Sequence, residues 1–221
     1  MIQAVILDTE TTGLVEPALV EAAWIAVDSP QGLLICDEFS GRFNPGKPIT
    51  FGAMATHHIT NEDVASCPPP SEFSLPDGVQ YIVGHNVDFD WRLIGEPKVK
   101  RICTLAFCRK LWPDDSHTLG AMLYRLKGPM ARDALRAVHS ARADAYICRM
   151  ILSEILSKIG EPATWEELWT LCEAARIPEI MAFGKHKGAR IADIPADYKQ
   201  WLLRQPDVDP YLQIALKGKR A

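Results

Sequence analysis

Short apolar runs bounded by turn residues open the chain and predict strands over residues 3–8, 19–27 and 33–43. A glycine turn follows the first, and Ser29-Pro30-Gln31-Gly32 follows the second, which gives an antiparallel start instead of a βαβ start. A helical segment is expected near residues 51–65. Cys67-Pro68-Pro69-Pro70-Ser71 cannot continue a helix, so an extended loop is expected there. Residues 81–84 read as a short buried strand feeding a helix that begins near Asn86, and residues 99–103 as a further strand. Helical patterns follow at 105–112 and 117–127. Mixed strands and then helices predict an α/β sandwich with helices flanking one sheet.

The helix after His139 carries the clearest anomaly. Asp144, Cys148, Ile151 and Ile155 are spaced i, i+4, i+7 and i+11, so Asp144 shares the face that packs on the sheet. The helix dipole favours an acid in the first turn by only about 0.3–1 kcal/mol. An ionised carboxylate facing a core costs more than that unless a metal or partner compensates. A spacing of five puts His139 about 140° around the helix from Asp144, and so on the preceding loop, with Ser140 as N-cap. The apolar run Ala4-Val5-Ile6-Leu7 leads into Asp8 and Glu10, which an extended backbone throws to one face. Two like charges held that close need a cation. Oxygen ligands without a cysteine or paired-histidine cluster suit Mg²⁺ or Mn²⁺ better than zinc.

Three stretches occur in order: Asp8-Thr9-Glu10-Thr11-Thr12-Gly13, Asn86-Val87-Asp88-Phe89-Asp90, and His139 with Asp144 five residues on. Met54-Ala55-Thr56-His57-His58-Ile59-Thr60 lies between the first two. Over roughly the first 155 residues this set resembles the DnaQ-like, DEDDh 3′→5′ exonucleases. Phe183-Gly184-Lys185-His186-Lys187-Gly188 is similar to the small C-terminal module of exodeoxyribonuclease X-type enzymes. The resemblance implies a ribonuclease H-like fold, with an exonuclease domain over residues 1–158 and a small module over 159–221. It also implies two Mg²⁺, replaceable by Mn²⁺. Asp8 would bridge both ions, Glu10 and Asp144 would complete the nucleophile side, and Asp90 would serve the second ion partly through water. His139 would take the proton of the attacking water. Thr11, Leu14 and Asn86 are the implied substrate-binding residues, with Leu14 and Val15 packing on the terminal base. A plain core role for Leu14 stays open, and Phe89 reads as core.

Composition then narrows the partners. At 221 residues the chain suits one core domain plus an appendage, and no run approaches the ~20 apolar residues needed to cross a bilayer. The opening residues show no export signal, and six scattered cysteines without a Cys-x-x-Cys pair fit a reducing cytoplasm. A net charge of −4 argues against a broad basic DNA-binding face, whereas an enzyme that meets phosphate through metals can be acidic. Local basic clusters remain at Lys98-Lys100-Arg101, Arg109-Lys110 and Lys217-Lys219-Arg220. Lys185, Lys187 and Arg190 sit with His186 on a glycine-framed turn that would either touch duplex DNA backbone or stay solvated. Thr164-Trp165-Glu166-Glu167 opens a helix to about residue 176, and residues 195–205 read as a helix with Tyr198, Trp201 and Leu202 inward. His57, His58, His85, His117 and His186 are expected to be surface or satisfied core residues. DNA, single-stranded or at duplex 3′ ends, is the expected partner, with no membrane and no identifiable protein partner. RNA trimming, polymerase proofreading and non-catalytic DNA binding are the competing readings.

Overall fold

The computed structural model describes residues 2–114, 116–136, 140–160 and 162–218, apart from the side chains of Ala134 and Arg136. In chain order the elements are β1 (Ala4–Thr11), β2 (Leu19–Val27), β3 (Ile35–Arg42), α1 (Phe51–His57), α2 (Asn61–Val64), β4 (Tyr81–Gly84), α3 (Asp88–Leu93), β5 (Lys100–Cys103) and α4 (Thr104–Leu111). They continue with α5 (Leu119–Lys127), α6 (Ala131–Arg136), α7 (Ala141–Ile159), α8 (Trp165–Arg176), α9 (Ala196–Leu203) and α10 (Pro210–Lys217).

One five-stranded sheet runs in the order β3-β2-β1-β4-β5. β1 pairs antiparallel with β2 and parallel with β4, and β4 pairs parallel with β5. The antiparallel opening and mixed sheet are those expected. Every residue of β2 is buried, because it lies between two strands and under α7, which packs on β1 and β2. β3 is the exposed edge, and its Asp37, Glu38 and Arg42 suit a strand that must not recruit another chain.

Two local expectations are corrected. The single helix near 51–65 is two, because His58 turns left-handed at φ 59° and Thr60 starts a new helix with a reciprocal cap to Asp63. Within the proline cluster, Pro70–Glu72 forms one 3₁₀ turn, since proline is tolerated at a helical first position.

The chain forms two compact units, Met1–Cys172 and Glu173–Ala221. The division falls later than the expected 158/159 because the first turns of α8 belong to the first unit. Trp165 and Leu168 are buried, Trp165 stacks on Tyr81 at 6.4 Å, and Cys172 Sγ accepts from the Cys103 N–H at 3.0 Å. Glu166 accepts from Tyr81 Oη at 2.6 Å and pairs with Lys100, while Arg101 pairs with Asp88 at 2.7 Å and lies over Trp91. Two cations of the 98–101 cluster are therefore engaged within the fold. The second unit is built on Met181, Ile191, Ile194, Leu202, Leu212 and Leu216.

Candidate active site

Strand alternation and helix phase bring three carboxylates together. Asp8 and Glu10 project from the end of β1, Asp144 from the first turn of α7, and one oxygen of each lies within 4.8 Å of the others. Ser140 caps α7 as expected, accepting from Ala143 N–H at 3.3 Å, and Cys148, Ile151 and Ile155 bury the same helix face. Asp90 enters from α3, 5% exposed, and is held by the Thr9 hydroxyl, which donates to its Oδ1 at 2.5 Å.

Buried together, these carboxylates repel one another unless a cation or protons offset their charge. Burial, followed by the charges of Asp90, Asp144, Glu10 and Glu21, holds the Asp8 carboxyl well above the usual carboxylate range. Burial and then Asp144, Glu21 and Asp90 push Glu10 up to about 8. Burial carries Asp90 to about 7 against the opposing Thr9 hydrogen bond, and burial with Glu21 carries Asp144 to about 6. Asp144 Oδ1 is buried and finds no hydrogen-bond partner among the described residues. A hard divalent cation fits this donor set: it would take the orphaned oxygen and offset the mutual repulsion.

Glu21 was not anticipated from the sequence. It stands opposite Glu10 in the β1–β2 register, 5% exposed, accepting from Arg42 Nε at 3.2 Å and from the Ala141 N–H at 2.8 Å. The second bond satisfies an otherwise orphaned donor at the start of α7 and ties the helix bearing Asp144 to the sheet. A lone acid in the otherwise apolar strand LVEAAWIAV was the available signal.

The remaining predicted residues differ in burial and setting. Leu14 and Val15 are 87% and 88% exposed, so the core alternative for Leu14 is excluded. Phe51, also 88% exposed, begins α1, whose cap Thr50 donates its N–H to Thr12 O at 3.0 Å beside the same loop. Thr11 is buried. Its hydroxyl closes the turn to Gly13 O at 3.0 Å, and its carbonyl accepts from His57 Nε2 at 3.1 Å. His57 Nδ1 accepts from Ile59 N–H at 3.0 Å, so the imidazole is neutral and structural, with burial lowering its pKa. Asn86 is exposed in a left-handed turn at φ 75° between β4 and α3, a conformation asparagine tolerates. His139 lies outside the described residues. Lys185, Lys187 and Arg190 belong to the second unit, exposed on and just after a turn braced by the Gly188 N–H to Met181 O bond at 2.8 Å.

Comparison with known proteins follows this arrangement. The chain is 31% identical over 218 residues to Exodeoxyribonuclease 10 of Escherichia coli K12, covering 96% of both chains. The chain belongs to the DnaQ-like, DEDDh exonuclease family. It is also 29% identical over 167 residues to DNA polymerase III subunit epsilon of Buchnera aphidicola from Acyrthosiphon pisum, covering 66% of this chain and 69% of that one. Among solved structures, Exonuclease X in complex with 5′ overhanging duplex DNA superposes with a TM-score of 0.60 at 29% identity, over 77% of this chain and 99% of that one. No protein-family model matches the chain. The mixed sheet with flanking helices is the ribonuclease H-like fold of this family, whose members act with divalent metal ions.

Proposed function

We propose that this protein is a 3′→5′ exodeoxyribonuclease that releases 5′-mononucleotides from DNA ends, with Asp8, Glu10, Asp90 and Asp144 holding two Mg²⁺, replaceable by Mn²⁺. The observation that carries the reading is the convergence of Asp8, Glu10 and Asp144 within 4.8 Å around a buried carboxylate oxygen that has no hydrogen-bond partner among the described residues. Bound divalent cations would supply Lewis acidity to the attacking water and to the departing 3′-oxygen. The chain's own residues do the placing. β1 fixes Asp8 and Glu10, Thr9 orients Asp90, and Glu21 anchors the N-terminus of α7. His139, one residue before the Ser140 cap, is assigned as the base that accepts the water proton, because imidazole titrates near neutrality. Leu14, Val15 and Phe51 offer exposed apolar surface for a terminal base, a grip that tolerates any sequence. Thr11 shapes that loop, Asn86 at the β4–α3 turn would meet the substrate, and Lys185, Lys187 and Arg190 would touch DNA phosphates.

The assigned setting is end processing or repair in the cytoplasm, supported by six free cysteines. Among the described residues no helix is long and apolar enough to cross a membrane. Purified protein should shorten a 5′-labelled single strand from its 3′ end only when Mg²⁺ or Mn²⁺ is present, leaving 5′-mononucleotides. Preference for a matched RNA strand would overturn the choice of DNA, and metal-independent cleavage would overturn the site.

A further inference from the structure

The second unit presents an indole that its own packing leaves outside. Of the three residues expected to turn inward on α9, Leu202 is buried at 4% exposure and Tyr198 packs partly buried against the core, whereas Trp201 is 53% exposed. The reason is helix phase: Tyr198 shares a side with both Leu202, four residues on, and Trp201, three residues on, so it lies between the core and the exposed indole. The ring centroids of Tyr198 and Trp201 are 5.3 Å apart, and His186 meets Tyr198 edge-on at 4.5 Å. Gly184 makes this possible. It is left-handed at φ 69°, and a Cβ there would fall 2.9 Å from Tyr198 Oη, so glycine lets the turn lay Lys185 and His186 against α9. Lys185, His186, Pro195, Asp197, Tyr198 and Trp201 line an open cleft of about 300 Å³.

Charge points the same way. Residues 173–221 carry nine Lys and Arg against six Asp and Glu, whereas residues 1–172 carry fifteen against twenty-two. The basic surplus of an acidic protein is thus confined to its smaller unit. Lys185, Lys187 and Arg190 are exposed on and beside the turn that forms one wall of the cleft, and Asp197 has one oxygen engaged by the Tyr198 N–H at 2.8 Å. An exposed indole backed by Tyr198 and lying beside exposed cations matches the two chemistries of a nucleic acid strand, flat bases and phosphates.

We propose that this cleft is a second DNA-binding site, in which one unpaired base stacks on Trp201 while Lys185, Lys187 and Arg190 take adjacent phosphates. Bases in a duplex are already stacked and cannot enter, so the aromatic wall selects single-stranded DNA over the duplex backbone that the basic turn alone suggests. The choice of DNA over RNA rests on the nuclease reading; the stacking does not.

The test uses the full chain in EDTA and the fluorescence anisotropy of a labelled thymidine strand of about 20 nucleotides. Trp201→Ala should weaken binding about ten-fold, the loss of one base–aromatic stack, and Trp201→Phe should restore most of it. Lys185→Ala with Lys187→Ala should flatten the salt dependence by about 0.7 per lost phosphate contact. Ile214→Ala, which changes an exposed apolar residue of the same unit away from the cleft, should bind as the unaltered protein does. The inference is overturned if Trp201→Ala binds like Ile214→Ala, if Trp201→Phe is as weak as Trp201→Ala, or if duplex binds more tightly than single strand. A tighter hold on a uridine strand would overturn the choice of DNA. Hydrolysis of the same strand on adding Mg²⁺ reports separately on the nuclease reading.

Discussion

Replacing Asp144 with asparagine should stabilise the metal-free protein while abolishing its activity. Two unit charges at 4.8 Å, the outer limit of the separations in the Asp8–Glu10–Asp144 cluster, repel by about 3.5 kcal/mol at an effective dielectric near 20 and by about 1 kcal/mol in water. The site is partly open to solvent, so about 2 kcal/mol is a fair value for Asp144→Asn. The sign depends on pH. Glu10 is pushed up to about 8 and Asp144 to about 6, so the folded metal-free protein holds more protons than the unfolded chain. Its stability must therefore fall as pH rises from the ordinary carboxylate range through about 8, where the protons that relieve the repulsion are lost. In EDTA at about pH 9, the variant should melt about 4–8 °C above the unaltered protein, using ~2–4 °C per kcal/mol for a domain of this size. At about pH 5 the two should converge, because bound protons already neutralise the cluster. Millimolar Mn²⁺ should then raise the melting temperature of the unaltered protein far more than that of the variant. Thermal melts monitored by circular dichroism read all three comparisons. A variant that melts lower at about pH 9 in EDTA, or an equal metal response in both proteins, would refute the reasoning.

Divalent-metal binding should release protons at about pH 7, because Glu10, Asp90 and Asp144 hold them at about 8, 7 and 6. Calorimetry in buffers of different ionisation enthalpy measures this, and identical heats would contradict it. Glu21→Ala removes the acceptor for the Ala141 N–H and strands a buried donor, costing about 1–3 kcal/mol. It should also lower kcat by loosening the helix that carries Asp144, and unchanged turnover would remove Glu21 from the positioning machinery. His139→Ala should slow hydrolysis by about 10²–10⁴ while leaving the metal-induced rise in melting temperature intact. Loss of that rise would place His139 among the metal ligands instead.

Period and spacing alone determined much of this protein. The apolar runs marked the strands, the i, i+4, i+7 phase of Asp144 with Cys148 and Ile151 pointed a carboxylate inward, and the strand alternation put Asp8 and Glu10 on one face, whereas Asp90 was implied only by the family resemblance. Such features are local, set by backbone geometry within a few residues. What the tertiary structure decided depends on partners far apart in the chain. Glu21 meets Ala141 across 120 positions and Thr9 meets Asp90 across 81, so no local pattern announces either contact. Leu14 needed a burial value before its core reading could be set aside. Trp201 was misplaced for the same reason: an amphipathic pattern marks apolar positions on a helix, but the extent of the neighbouring core decides which of them it covers. In the small second unit that core covers Leu202 and part of Tyr198, and the indole of Trp201 stays at the surface.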